Sequence, residues 1–166
     1  MKSTPQTFSA RKDLFHGKVI LVTGATGGFG RAVSMALAAH GATVILLARS
    51  LRRVEGLYDE IEQAGYPEPA IYPLDMEGAT EQDYADLATN IETQLGRLDG
   101  MIHCAVQLGT PTLFAQSDAS TWYRLHQVNL HAPYLLTRAC LPLLGKSSRA
   151  APVSYTHLTL PTIYSV

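Results

Sequence analysis

The sequence predicts an α/β domain: a parallel sheet with helices on both faces. Three observations carry this expectation. Short apolar runs alternate with stretches of helical periodicity along the chain. Apolar residues make up 46% of the 166 residues and charged residues only 16%, a balance that suits strands buried on both faces. Glycines cluster in "TGATGGFG", where the first apolar run meets the first helical stretch.

The elements follow in order. "KVILVTG", Lys18 to Gly24, ends in glycine and reads as a buried strand. In "FGRAVSMALAAHG", Phe29, Val33, Ala36, Leu37 and His40 recur at helical spacing, and Gly41 closes the helix. Ala42 to Ala48 is a second buried strand. Ser50 stands where it would cap a helix through "LRRVEGLYDEIEQAG", ending at Gly65. Ala70 to Asp75 is a third strand. Thr80, followed by Glu81 and Asp83, opens a helix with the charge its N-terminus favours. Tyr84, Leu87, Ala88, Ile91 and Leu95 form the apolar stripe of that helix. "LDGMIHCAV" is a fourth strand, and "ASTWYRLHQVNLHAPYLLTRACLPLL" a long helix. Right-handed crossovers leave few topologies. The expected order is 3-2-1-4, with a ligand crevice between strands one and four, beyond their C-terminal ends.

Bulk properties exclude several classes. A net charge of -1 gives no broad field for nucleic acid or a membrane surface. No apolar run reaches membrane-spanning length. The N-terminal "MKSTPQTFSARKDLFHGK" has no hydrophobic stretch, so residues 1–16 read as a polar lead-in rather than a secretory signal. Cys104 and Cys140 suggest neither a disulfide framework nor a zinc site, and a reduced cytoplasmic setting is expected. The histidines do not cluster at ligand spacing, as His126 and His131 illustrate, so no metal is expected.

The glycine turn sits at the crevice. Gly24 permits a tight turn, Gly28 lets backbone approach a pyrophosphate, and Gly30 lets the helix pack near the sheet. The helix N-terminus offers N–H groups and partial positive charge to phosphate. Arg31 and Ala32 follow Gly30, so this is not a P-loop. A strand before and a helix after the turn favour a Rossmann-type nucleotide site over an ordinary βα turn.

T-G-x-x-x-G-x-G after the first strand resembles the short-chain dehydrogenase/reductase family, and other landmarks match in order. Asp75, in "LDM", falls where the family places the Asp that bonds the adenine amine. "HCAV", His103 to Val106, falls on the family's N-N-A-G. Asn129, in "QVNLHAP", falls on its catalytic Asn. The resemblance covers roughly Gly17 to Ala151. "GKVILVTGA" and "LPLLGKS" are similar to a bacterial oxidoreductase subgroup of the YciK type. It implies hydride transfer between a nicotinamide cofactor and a carbonyl or alcohol, and a homo-oligomeric parent. The cofactor-binding residues it implies are Gly24, Thr26, Gly28, Phe29, Gly30, Arg49, Asp75, Met76, Cys104 and Ala105.

The end of strand two separates NAD from NADP. An acidic side chain there accepts from the ribose 2′-hydroxyl, whereas Arg pairs with a 2′-phosphate. Arg49 holds that place, without a carboxylate, so NADP is expected over NAD. Thr26 adds a hydroxyl. Arg52 and Arg53 lie close behind, at least one of them expected to decorate an exposed helix start. In the long helix, Pro133 deprives the Asn129 carbonyl of its N–H partner and kinks the helix there. In the family that carbonyl holds a water of the proton relay.

Three departures matter. Cys104 lacks the donor and acceptor capacity of the Asn amide it replaces. It reads as an inert thiol rather than a nucleophile. Val106 replaces a glycine that lets the cofactor approach. No Tyr in the chain has Lys four residues later, so the family's Ser and Tyr-x-x-x-Lys are missing.

"PVSYTHLTLPTIYSV" ends the chain without a charge. It reads as a fifth strand, as a natural short tail, or as foreign sequence. "VSYTHLTLPT" resembles the translation of a transposase sequencing adaptor, which favours the last. Residues 17–152 then form an incomplete domain, cut before strands five to seven, and residues 153–166 a non-native tail. Strand four becomes an open edge. Tyr134, Leu135 and Leu141 become exposed, and the chain is expected to be poorly soluble and without reductase activity.

Overall fold

The computed structural model describes residues 10–147 and 150–154. A parallel sheet runs through the middle, in the order β3-β2-β1-β4-β5. Its strands are β1 (Val19–Thr23), β2 (Thr43–Ala48), β3 (Ala70–Pro73), β4 (Gly100–His103) and β5 (Ala151–Ser154). The helices are α1 (Gly28–Ala39), α2 (Leu51–Gln63), α3 (Glu81–Leu95), α4 (Ala119–His126) and α5 (Ala132–Leu144). A 3₁₀ turn, Phe114–Gln116, lies between β4 and α4.

The pleat sorts strand residues between two cores. Ile20 and Val22 of β1, with Val44 and Leu46 of β2, face Leu37 of α1 and Val54, Leu57 and Ile61 of α2. Leu21 of β1, Leu47 of β2 and Met101 of β4 face α3 and α5, meeting Tyr84, Leu87, Leu136 and Cys140. Burying each such Leu or Ile stabilises the fold by about 1.5–3 kcal/mol. Both faces being covered explains why β1 and β2 read as continuous apolar runs.

Local chemistry sets the boundaries. Thr80 and Asp83 close a reciprocal capping box at the start of α3. Ser50 precedes α2 as expected, but its side chain makes no capping bond. The stripe proposed for α1 is rotated: Gly30, Ser34, Leu37 and Ala38 are buried, whereas Phe29 is 40% exposed. Small side chains bring α1 close to the sheet, and Ser34 donates its hydroxyl to the Gly30 carbonyl.

The long helix is three pieces. A π-helical segment, Gln127–His131, separates α4 from α5, and the Ala132 N–H reaches back to the Gln127 carbonyl. Pro133 follows at the start of α5. The missing N–H and the wider turn coincide, so the disruption expected at Asn129 is a π-bulge.

β4 is shorter than its apolar run because the N–H groups of Cys104 and Ala105 turn to the Thr23 hydroxyl, at 3.2 and 3.0 Å. The expectation that β4 forms an open edge is corrected by β5, which pairs with it from Gly100↔Ala151 to His103↔Ser154. Val153 and Ser154, assigned to the tail from sequence, are part of that strand; residues 155–166 lie outside the described residues, as do residues 1–9 of the lead-in. Tyr134 and Leu141 are exposed, but Leu135 packs against the core.

Candidate functional site

A cleft of about 280 Å³ opens beyond the C-terminal ends of β1, β2 and β4. The turn after β1 forms its floor, with Gly24, Thr26 and Gly27 lining it. Arg49, Ser50 and Arg53 line one side, Asp75 and Met76 another. Cys104 to Gln107 and Val128 complete the wall.

The glycines divide the labour differently from the sequence expectation. Gly24 has φ +61°, and a Cβ there would lie 2.7 Å from the Ala105 Cα. It therefore serves both the turn and the passage of the loop after β4. A Cβ on Gly30 would lie 2.2 Å from the Gly24 carbonyl oxygen, so Gly30 lets α1 dock on the turn. At Gly28 a Cβ would meet nothing within 4 Å; the space above it is open. α1 has no acidic residue in its first turn, leaving its partial positive charge unopposed by side chains there.

Thr23 is fully buried. By accepting from Cys104 and Ala105, it ties the end of β4 to the end of β1. Asn129 secures the next stretch of the loop. Its Oδ1 accepts from the Gln107 N–H and its Nδ2 donates to the Gln107 carbonyl, both at 2.8 Å. The side chain is thus engaged with the loop, outside the cleft lining.

Of the residues expected from sequence, Gly24, Thr26, Arg49, Asp75, Met76, Cys104 and Ala105 come together in the cleft. Gly28, Phe29, Gly30 and Asn129 are absent from its lining. Thr23, Ser50, Arg53, Gln107 and Val128 were missed. Thr23 had a signal, a hydroxyl ending an otherwise apolar strand. Arg53 had one too, but sequence did not distinguish it from Arg52. Val128 and Gln107 had none, since distant segments bring them to the cleft.

The titratable groups differ by depth. Burial pushes the Cys104 thiol up, which keeps it protonated and favours the inert reading. His103 is 6% exposed. Its Nε2 lies 2.9 Å from the Thr137 hydroxyl, its Nδ1 has no partner among the described residues, and burial lowers its pKa. Asp75 Oδ1 accepts from the Glu77 N–H. No group of three or more His, Cys, Asp or Glu side chains among the described residues is arranged to hold a metal. No described helix is long and apolar enough to cross a membrane.

The short chain dehydrogenase family model matches residues 18–154. This chain belongs to the short chain dehydrogenase family. Among its curated relatives, the uncharacterized oxidoreductase YciK of Escherichia coli K12 is 36% identical over 146 residues, covering 88% of this chain and 58% of that protein. Short chain dehydrogenase mpl6 of Monascus purpureus is 36% identical over 165 residues, covering 95% of this chain and 56% of that protein. The chain thus spans less than two thirds of either relative. Among solved structures, the oxidoreductase yciK from E. coli has a TM-score of 0.85 at 36% identity, over 89% of this chain and 61% of that one. A protein assigned to the short chain dehydrogenases, from Escherichia coli CFT073 and complexed with NADPH, has a TM-score of 0.84 at 37% identity, over 87% of this chain and 60% of that one. The resemblance to the family and to its YciK type is borne out.

Proposed function

We propose that this chain is the cofactor-binding part of an NADP(H)-dependent short-chain oxidoreductase acting on a carbonyl or alcohol. The observation that carries the reading is the cleft corner at the end of β2, where Arg49 replaces a carboxylate and lines the wall. A guanidinium there pairs with a 2′-phosphate and offers nothing to a ribose diol that an acidic side chain would. The remaining lining fits the cofactor: open space at Gly28 over the start of α1 for the pyrophosphate, and Asp75 as acceptor for the adenine amine. When bound, the nicotinamide ring supplies or accepts the hydride.

The chain's own residues then bind and position. Thr23 holds the Cys104–Ala105 backbone against the β1 turn, and Asn129 fixes Gln107. Asn129, with its side chain occupied and its carbonyl released by Pro133, is suited to hold a water of a proton relay. The proton donor is another matter. Reduction of a carbonyl needs an acid beside the forming alkoxide, and no Tyr-x-x-x-Lys occurs in these 166 residues. The chain as written therefore binds cofactor without turning over substrate. The second reading is a binding module for NADP(H) without catalysis. We further assign the parent to the cytoplasm, consistent with two free cysteines, and to homo-oligomers, consistent with exposed Trp122, Tyr134 and Leu141.

Two measurements test this. The first is sequencing of the locus through the codons for Ala151 to Val153. Continuation into a strand, a Ser and Tyr-x-x-x-Lys is expected for the oxidoreductase; a genomic stop after Val166 selects the binding module. The second is a carbonyl panel with NADPH. No turnover by this chain is expected, and turnover of any member contradicts its inactivity.

A further inference from the structure

Most cations of the described fold are matched. Lys18 and Arg97 pair with Asp99, Arg31 with Glu60, Arg138 with Glu81 and Lys146 with Glu92. Three arginines in a five-residue stretch, Arg49, Arg52 and Arg53, form no ion pair or side-chain hydrogen bond among the described residues. They are not equivalent. Arg49 and Arg53 line the cleft, and Arg52 does not. α2 begins at Leu51, so consecutive side chains diverge by roughly 100°; Arg53 turns to the cleft while Arg52 turns away.

The local setting is unfavourable for cations unless an anion is bound. The first turn of α2 holds two arginines and no acidic residue, against the sense of the helix dipole. Ser50, which lines the same corner, leaves its side chain out of any capping bond. The carboxylate of the cleft, Asp75, lies at the end of β3 and already accepts from Glu77. One doubly charged phosphate between Arg49 and Arg53 offsets both the unmatched charge and the dipole mismatch, and a guanidinium fork is suited to it.

We propose that Arg53, and not its neighbour Arg52, shares the 2′-phosphate of NADP(H) with Arg49, so that discrimination against NAD(H) is divided over two side chains. This rests on the cofactor reading above and adds to it the residue that sequence could not single out. The test is equilibrium binding of NADPH and NADH to the unaltered chain and to its Arg52→Ala and Arg53→Ala variants. The unaltered chain is expected to prefer NADPH. Arg53→Ala is expected to lose about 30-fold in NADPH affinity, the scale of one charged hydrogen-bonded contact. Its NADH affinity, which reports on folding, stays within about threefold, and Arg52→Ala changes neither. If the unaltered chain binds neither nucleotide, the cofactor reading itself fails and takes this inference with it. If it prefers NADPH but Arg53→Ala keeps that preference, or Arg52→Ala loses as much, the cofactor reading stands and the inference is overturned.

Discussion

Asp99, just before β4 at the N-terminal end of the sheet, accepts from Arg97, Lys18, Ser147 and the Val19 N–H. Arg49 and Arg53, at the opposite end, donate to no such partner among the described residues. The two ends differ in how their charges are matched. Asp99 is 3% exposed, and a buried carboxylate persists only when its lone pairs are filled. Burial pushes its pKa up, but the bonds from Arg97, Val19, Ser147 and Lys18 reverse this and hold it well below the usual carboxylate range. That end holds strands together. The arginines face solvent in an open cleft, where their unmatched charge is available to a ligand.

The largest expected effect comes from breaking the matched end. Asp99→Ala leaves the Val19 N–H without its carboxylate and is expected to cost about 3 kcal/mol, read by urea unfolding. Because the folded pKa of Asp99 is lowered, its contribution is present above the unfolded carboxylate range, near pH ~4. It is lost progressively as pH falls from there through the folded value, so the stability gap between Asp99→Ala and the unaltered chain should narrow steadily as the pH drops below the unfolded carboxylate range.

Gly30→Ala comes next. Its Cβ would meet the Gly24 carbonyl, so the turn must shift, at about 2 kcal/mol. Gly28→Ala, with nothing to meet, is expected to stay within about 0.5 kcal/mol. Equal losses in thermal melts would contradict the division of labour among the glycines. Asn129→Ala removes two bonds to Gln107 and is expected to cost about 1 kcal/mol.

The smallest effect is the pH dependence set by His103. Burial lowers its folded pKa. The neutral imidazole therefore contributes fully above the unfolded value of about 6.5, and that contribution is lost as pH falls through the folded value. Melting between pH 7 and 5 should show a decline that His103→Gln flattens; an unchanged slope would remove His103 as its source.

Much of this architecture was legible in the sequence. Continuous apolar runs marked β1 and β2 because both faces are covered, and the spacing of Tyr84, Leu87, Ala88 and Ile91 gave the buried stripe of α3. The glycine turn, Arg49 and Asp75 located the cleft. Sequence failed where a distant partner decides. β4 ends early because Thr23, on another strand, takes the next two N–H groups. Phe29 looked like core, but α1 docks through Gly30 and Ser34. Asn129 announced itself through Pro133, yet its clamp on Gln107 depends on a loop more than twenty residues away. β5 was discounted because its chemistry beyond Ser154 departs from the family, whereas strand pairing asks only for four extended residues beside β4.

On the reading proposed above, the unmatched arginine corner is an NADP(H) site. Isothermal titration of the chain with NADPH and NADH under one buffer and salt tests it most directly. Saturable binding of NADPH, at least about tenfold tighter than that of NADH, is expected. Equal affinities, or no heat from either nucleotide, would contradict it.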